Sequence, residues 1–345
     1  MPLIKTIRVQ NVRAHKDFSI QVAPSATVIV GANGAGKTSL IEALYVALQG
    51  SSFKSSDKDI VKHGATWYRV DASLSEDGTR TVKFDSEKAA GRKQFIIDGK
   101  THYRLGQAQK FPVVLFEPDD LRLLGGSPAR RRQFIDRLIG QIDSKYALAV
   151  RRYERALKQR NTLLKHPNVS EESLFAWNVT LGEYGSYIIS QRLKFVSEID
   201  KQLGGIYQTI SGVADAVGVR YSHTHADTAQ KLLSDLHAHK ERDRLMGYTS
   251  VGPHRHDIIF EFNGALAVDV ASRGEIRSII LALKFIEVRI TEEFLDIKPL
   301  ILLDDVFSEL DEARQKNLVT EFTDHQIIIT SVATIPIKGS EAIQL

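Results

Sequence analysis

Apolar residues recur with two different periods along this chain, and the change of period divides it. Period two dominates the first 110 residues. The β-prone runs LIKTIRV, FSIQV and ATVIV come first. WYRVDASL, RTVKFDS and QFIIDG then alternate apolar and polar positions, separated by turns such as Glu76-Asp77-Gly78. One segment breaks the alternation: TSLIEALYVALQG has helical spacing and stops at Gly50. VVLFEPDDL reads as a buried strand ending in a Pro/Asp loop. The helical period then takes over. GGSPARRRQFIDRLIGQID opens with Ser127 as N-cap and Pro128 in the first turn. Phe134, Ile135, Leu138, Ile139, Ile142 and Tyr146 follow at intervals of three and four. Helical patterning continues through LFAWNVTLGEYGSYIISQRLKFVSEIDKQLGGIYQTI. Beyond residue 245, DIIFEF reads as a strand, 273–295 as a helix, and PLILLDD and QIIIT as buried strands.

These elements predict an α/β protein whose two ends form one sheet. Residues 1–118 and 246–345 make the head, with an antiparallel strand-rich lobe at about 66–100. Residues 119–245 form an inserted all-helical lobe, too short for a long coiled coil. No internal repeat is visible.

With 345 residues and 43% hydrophobic content, the chain has room for one large domain or two lobes. It contains no cysteine, which excludes disulfides and thiolate metal sites. His223, His225, His237 and His239 cluster in sequence, but their spacing fits no standard metal site. Charges interrupt residues 1–17, and no apolar run approaches the ~18 residues of a membrane span. A cytoplasmic protein without membrane contact is therefore expected.

Net charge is only +4, but its distribution is uneven. Pro128–His166 holds eleven Lys/Arg and three acids. Arg130, Arg131 and Arg132 oppose the helix dipole in a first turn, which costs stability unless an anion or carboxylate answers them. With Arg151 and Arg152 they are candidate DNA-phosphate contacts. The alternative is a solvated helix face.

GANGAGKT, Gly31 to Thr38, matches the phosphate-binding loop G-x-x-x-x-G-K-[ST], between a strand and a helix as that motif requires. Gly31, Ala32, Asn33, Gly34, Ala35 and Gly36 would turn their N–H groups around phosphates. Lys37 would reach the β/γ-phosphates of ATP, and Thr38 would ligate Mg²⁺. LILLDD supplies the acidic partner: Asp304 emerges from a buried strand as the metal candidate. Asp305 is placed to polarise an attacking water, or else to cap a helix. A second helix start, ASRGE, combines a Ser-x-x-Glu capping box with the small residues of a phosphate site. Because the P-loop already provides one cradle, Ser272 and Gly274 have a natural use toward the nucleotide of another subunit.

A P-loop, a Ser-x-Gly helix start, an LILLDD strand and a following SELD together resemble the ABC-type ATPases. The P-loop near the N-terminus and the Ser-x-Gly beyond residue 270 resemble their DNA-repair branch, with SMC and Rad50-like heads. IRVQNVRAH is similar to the same branch, whose arginine lies near the nucleotide; Arg13 is the matching position. More closely, the chain resembles the RecF family of bacterial recombination mediators. VGANGAGKTSLIEAL, LFEPDDL, GGSPARRRQFID, VGPHRHDIIFEFNG, ASRGEIRSIILALKF, LLDDVFSELDEARQ and IIITS carry that likeness in order.

The resemblance implies a P-loop ABC-ATPase head that binds ATP and Mg²⁺ and forms an ATP-dependent homodimer. It implies binding to DNA at single-strand/duplex junctions. With the RecR and RecO proteins, such a chain helps load the recombinase at gaps, in repair, replication and the SOS response. An SMC-like structural chromosome ATPase is the alternative, and it needs long heptad arms. Three positions depart from the family pattern: Glu275 stands for Gln, His256 for Asp, and Ser39 for a common Asn. The transporter switch histidine has no match after IIIT, where Thr330 and Ser331 stand, and the glutamine loop has no glutamine. Both point to a weak DNA-dependent ATPase that uses ATP as a switch.

Overall fold

The computed structural model describes residues 3–87, 91–166, 170–335, 337 and 340–345, except some side chains within 308–319. Two compact units make up the chain, Met1–Leu121 with Glu287–Leu345, and Arg122–Ile286. The first unit begins with β1 (Ile4–Val12), β2 (His15–Gln21), β3 (Ala26–Val30), α1 (Lys37–Gln49) and α2 (Asp57–Ile60). β4 (Trp67–Leu74), β5 (Thr79–Asp85), β6 (Gln94–Ile97), β7 (Lys100–His102) and β8 (Val113–Phe116) follow. The second unit contains α3 (Pro128–Ile142), α4 (Ser144–Leu163), α5 (Glu171–Ser211), β9 (Val217–Tyr221), α6 (Ala229–Ala238) and α7 (Lys240–Met246). It continues with β10 (Ile258–Phe262), β11 (Ala265–Leu266) and α8 (Ala267–Val270). Helix α9 (Arg273–Leu295) runs into the first unit, which closes with β12 (Leu300–Leu303), α10 (Glu312–Glu321), β13 (Ile327–Ser331) and β14 (Ser340–Gln344).

Two sheets build the first unit. One is antiparallel, in the order β2-β1-β4-β5-β6-β7. Its strands alternate: Tyr68, Val70, Ala72 and Leu74 of β4 are buried, and the intervening residues are not. The other is parallel, in the order β14-β3-β13-β12-β8, so both ends of the chain share it. β3, β8 and β12 are buried at every position, as strands covered on both faces are. Helix α1 is buried from Ser39 through Gln49. Its Leu40, Ile41, Leu44, Val46 and Leu48 join residues of both sheets in one core. A helix that is covered all round belongs between layers. Gly50 ends it in the left-handed region, at φ 91°, with its N–H on Val46 O at 2.9 Å. Gln326 ties the two sheets: its side chain accepts from Ile4 N (2.8 Å) and donates to Ile4 O (2.7 Å) and Ala23 O (2.9 Å).

The second unit is organised by α5, 41 residues long, against α4. Two buried arginines pin it. Arg160, fully buried, donates to Asn178, to Asp243 at 2.7 Å and to Thr249. Arg192 forms a fork on Asp136 at 2.9 and 2.8 Å and donates to Pro253 O. Removing one partner of such a pair typically costs ~3–5 kcal/mol, because the other charge stays buried.

Three details differ from the sequence expectation. The inserted segment is not all-helical: VGVRY forms β9, antiparallel to β10. That run is only five residues long, and its pairing with β10 buries Val217, Val219 and Tyr221. Consequently DIIFEF joins β9 in a small sheet rather than the parallel sheet. The compact boundary falls at 286/287, inside α9, where residue 246 was expected. Tyr146 lies on α4, not α3, because Asp143 ends one helix and caps the next, accepting from the amides of Lys145 and Tyr146.

Candidate nucleotide site

The loop between β3 and α1 is shaped by glycine. Gly36 caps α1 in the left-handed region at φ 100°, without a side-chain cap. A Cβ there would meet His15 Nε2 at 2.4 Å, so this position needs glycine twice over. His15, on β2, is hydrogen-bonded through that nitrogen to Gly36 O at 3.1 Å and fixes the loop from the antiparallel sheet. The first-turn amides of α1 have no intrahelical acceptor, and the helix dipole adds partial positive charge. This is an anion-binding arrangement made by backbone. Lys37 is 4% exposed, and its ammonium donates to Gly31 O (2.9 Å) and Ala32 O (3.1 Å).

At the end of β12 the chain delivers two carboxylates with different surroundings. Asp304 is 5% exposed, and its Oδ1 accepts from Thr38 Oγ1 and from Thr330 Oγ1, both at 2.9 Å. Burial raises its carboxyl above the ordinary value, against those two donors, with the Asp305 charge adding to the rise. A cation would reverse that cost. The Thr38 hydroxyl and Asp304 carboxylate are hard oxygen donors, the type Mg²⁺ uses with phosphate and water rather than a full protein cage. Among the described residues no group of three or more His, Asp or Glu could hold a metal ion. Asp305 sits at φ 52°, a left-handed backbone uncommon for a residue with a side chain. That turn brings its Oδ1 to 4.0 Å from Lys37 Nζ, and its N–H donates to Thr330 Oγ1 at 2.9 Å. The side chains of Ser308 and Glu309, in SELD, lie outside the described residues.

Arg13 also has φ in the left-handed region, at 44°. Its guanidinium donates to both oxygens of Glu42 on α1, at 2.8 and 3.2 Å, and to Ser55. Burial pushes the Glu42 carboxyl up, and the Arg13, Ser52 and Ser55 donors overcome that, so it stays below its usual value. Arg13 thereby anchors the P-loop helix.

The second unit holds the other helix start. Ser272 N donates to Glu275 Oε2 at 2.6 Å, and Glu275 N to Ser272 Oγ at 3.4 Å: the capping box is closed by its own residues. Ser272 and Arg273 are exposed, and Gly274 is half-buried. In the arginine-rich start of α3, a carboxylate answers. Arg131 makes a fork on Asp257 (2.9 and 2.7 Å) and donates to Leu124 O and Gly126 O. Arg132 donates to His256 O at 2.7 Å, and Arg130 is half-buried with a partner of its own. These bonds engage Arg131 and Arg132 inside the unit. Arg151 and Arg152 remain exposed on α4, with Arg152 over the Tyr184 ring at 5.9 Å.

A family model described as an AAA domain matches residues 6–212. The DNA replication and repair protein RecF of Clostridium perfringens is 30% identical over 332 residues, covering 95% of this chain and 92% of its own. The protein of that name in Pediococcus pentosaceus is 31% identical, over 97% of this chain and 93% of its own. The chain belongs to the RecF family. The recombination mediator protein RecF with ATP, in the RecFOR pathway, superposes with a TM-score of 0.89 at 28% identity, over 99% of this chain and 95% of that one. An SMC head bound to the C-terminal winged-helix domain of ScpA gives 0.54 at 17% identity, over 96% of this chain and 90% of that one, a likeness of fold alone. The fold is a P-loop ABC-ATPase head with a largely helical insertion.

Sequence reading missed His15 and Glu42, which act on the site from outside the motif. Thr330 was visible only as an occupant of the switch position; its bond to Asp304 required β13 to lie beside β12. The Asp304-to-Thr38 pairing was legible as a motif, and the 2.9 Å separation gives it geometry.

Proposed function

We propose that this chain is an ATP-dependent DNA-binding protein of recombinational repair. It closes into a homodimer on ATP, binds DNA at single-strand/duplex junctions, and acts with RecR and RecO to help load the recombinase at gaps. Roles in replication and the SOS response follow from that activity. The observation that carries the reading is the hydrogen bond between Thr38 and Asp304 at the mouth of the P-loop, in a chain of the RecF family.

Bound Mg-ATP supplies a polyphosphate whose charge two surfaces can share. The P-loop amides take phosphate oxygens, Lys37 neutralises them, and Thr38 with Asp304 holds the cation. Asp305 orients water, and Ser272 with Gly274 serves the nucleotide of the partner subunit. Thr330 bears one hydroxyl hydrogen, and the shorter of its two contacts directs it to Asp304 rather than to Leu303 O. A hydroxyl committed in this way is no imidazole base, which favours slow hydrolysis and use of ATP as a switch. A gapped duplex, titrated with and without Mg-ATP, tests the reading by fluorescence anisotropy and light scattering. ATP should raise both DNA affinity and molecular mass. If both stay unchanged, the reading fails.

A further inference from the structure

Asp305 holds a backbone, φ 52°, that a residue with a side chain adopts only at a cost. Aspartate tolerates this region best when its short side chain bonds to the local backbone. Asp305 stands at the N-cap of the short turn Val306–Glu309, yet its side chain makes no capping bond. Its Oδ1 lies instead 4.0 Å from Lys37 Nζ, with the carboxylate 32% exposed. The strained turn therefore serves the nucleotide site and not the helix start that follows.

The neighbouring strand supplies the restraint. Parallel pairing sets Leu303 opposite Ile329, so the next residue of β13, Thr330, comes beside the two acids. Thr330 is fully buried, and its hydroxyl is used in both senses. Oγ1 accepts from Asp305 N and donates to Asp304 Oδ1, each at 2.9 Å. Branching at Cβ limits the side chain to few rotamers, which keeps this oxygen in place. Asp304 has a further donor in Thr38 at 2.9 Å, so its orientation does not depend on Thr330 alone. One residue on, Ser331 O accepts from Gly31 N at 3.1 Å. The end of β13 thus touches the P-loop as well as the acids, and it fixes Asp305 relative to the phosphate cradle.

We propose that Thr330 is a positioning residue for ATP hydrolysis: its buried hydroxyl holds the Asp305 amide in the left-handed turn and so keeps the Asp305 carboxylate beside Lys37. The proposal rests on the reading that Asp305 orients the attacking water. Thr330 takes no proton from that water, and its effect passes through Asp305.

Thr330→Val keeps the branched shape and removes the hydroxyl. In steady-state ATP hydrolysis with gapped duplex present, it should lower kcat by about 10–100-fold and leave KM unchanged. Thr330→Ser restores the oxygen and should recover kcat to within about threefold of wild type. ATP affinity in EDTA should keep its wild-type strength in each variant, which shows that the P-loop is folded. On an Asp305→Asn background, itself about 100-fold slower, adding Thr330→Val should cost nothing more. Thr330→Ala carries the same expectations if the Val variant does not fold. A wild-type rate from Thr330→Val overturns the proposal, as do losses that multiply in the double variant. So does a Ser variant no better than Val, or a fall in EDTA affinity that matches the fall in kcat. Each of those results leaves the role of Asp305 standing. Full activity of Asp305→Asn, or no turnover by the wild type, overturns the water-orienting reading and the proposal with it.

Discussion

Two helix starts in this chain have the composition of a phosphate site, and they differ in what already occupies their donors. At α1 the cap is a left-handed glycine with no side-chain bond, and His15 holds it from the neighbouring sheet. At α9 the cap is a serine whose N–H and hydroxyl are both engaged by Glu275. The first start is open by backbone geometry and lies beside a buried ammonium. The second is satisfied by its own residues, so a phosphate arriving there competes with a carboxylate. Motif spacing alone does not separate an open cap from a closed one.

The largest test of the difference is Lys37→Ala, which should weaken ATP binding roughly 100-fold in a fluorescent-nucleotide titration. The same titration on Ser272→Ala should change little, since the proposal gives α9 a role only toward a partner's nucleotide. Equal losses would erase the distinction between the two starts.

Acid distinguishes the two regions in another way. His254 and His256, in the unit that carries the start of α9, are held at about 4 and about 3 by burial. His254 accepts from Tyr153 through Nδ1 at 2.7 Å and donates through Nε2 to Thr249 O at 3.0 Å, an arrangement for the neutral ring. With folded values below the free value of 6.5, the unfolded chain takes up protons first as pH falls. Stability from these groups is complete above pH 6.5 and drains away toward pH 4, by roughly 2–3 kcal/mol for each ring. Urea titrations of Trp67→Phe, with Trp177 reporting on α5, should find that loss. A flat profile over this window would show that the rings charge freely in the fold.

Asp304→Asn comes next. It should lower Mg-ATP affinity about tenfold and match wild type when EDTA removes the cation. A deficit that persists in EDTA would make Asp304 a structural acceptor for Thr38 and Thr330. The smallest effect belongs to Glu275→Gln. Its amide oxygen can still accept from Ser272 N, so the cap survives while the charge goes. ATP-induced dimerisation should tighten about two- to fivefold. An unchanged dimer would mean that the carboxylate only caps.

The nucleotide site was legible where its chemistry is local. Gly31 to Thr38 and LILLDD declare themselves by spacing, and the strands from β1 to β6 by alternation. His15 on Gly36, Glu42 under Arg13 and Thr330 on Asp304 depend on which strands lie side by side, which periodicity does not encode. The partner of a charge is hidden for a related reason. The arginine-rich start of α3 attracts attention in sequence, yet Asp257, more than a hundred residues away, engages Arg131. β9 was overlooked because it is five residues long and follows a 41-residue helix, and it is completed only by pairing with β10.

Light scattering with and without Mg-ATP, on wild type and Ser272→Arg, is decisive for an ATP-closed homodimer. ATP should double the mass of the wild type and leave the variant monomeric, although the variant should still bind the nucleotide through its own P-loop. Dimerisation of both proteins regardless of ATP would contradict it.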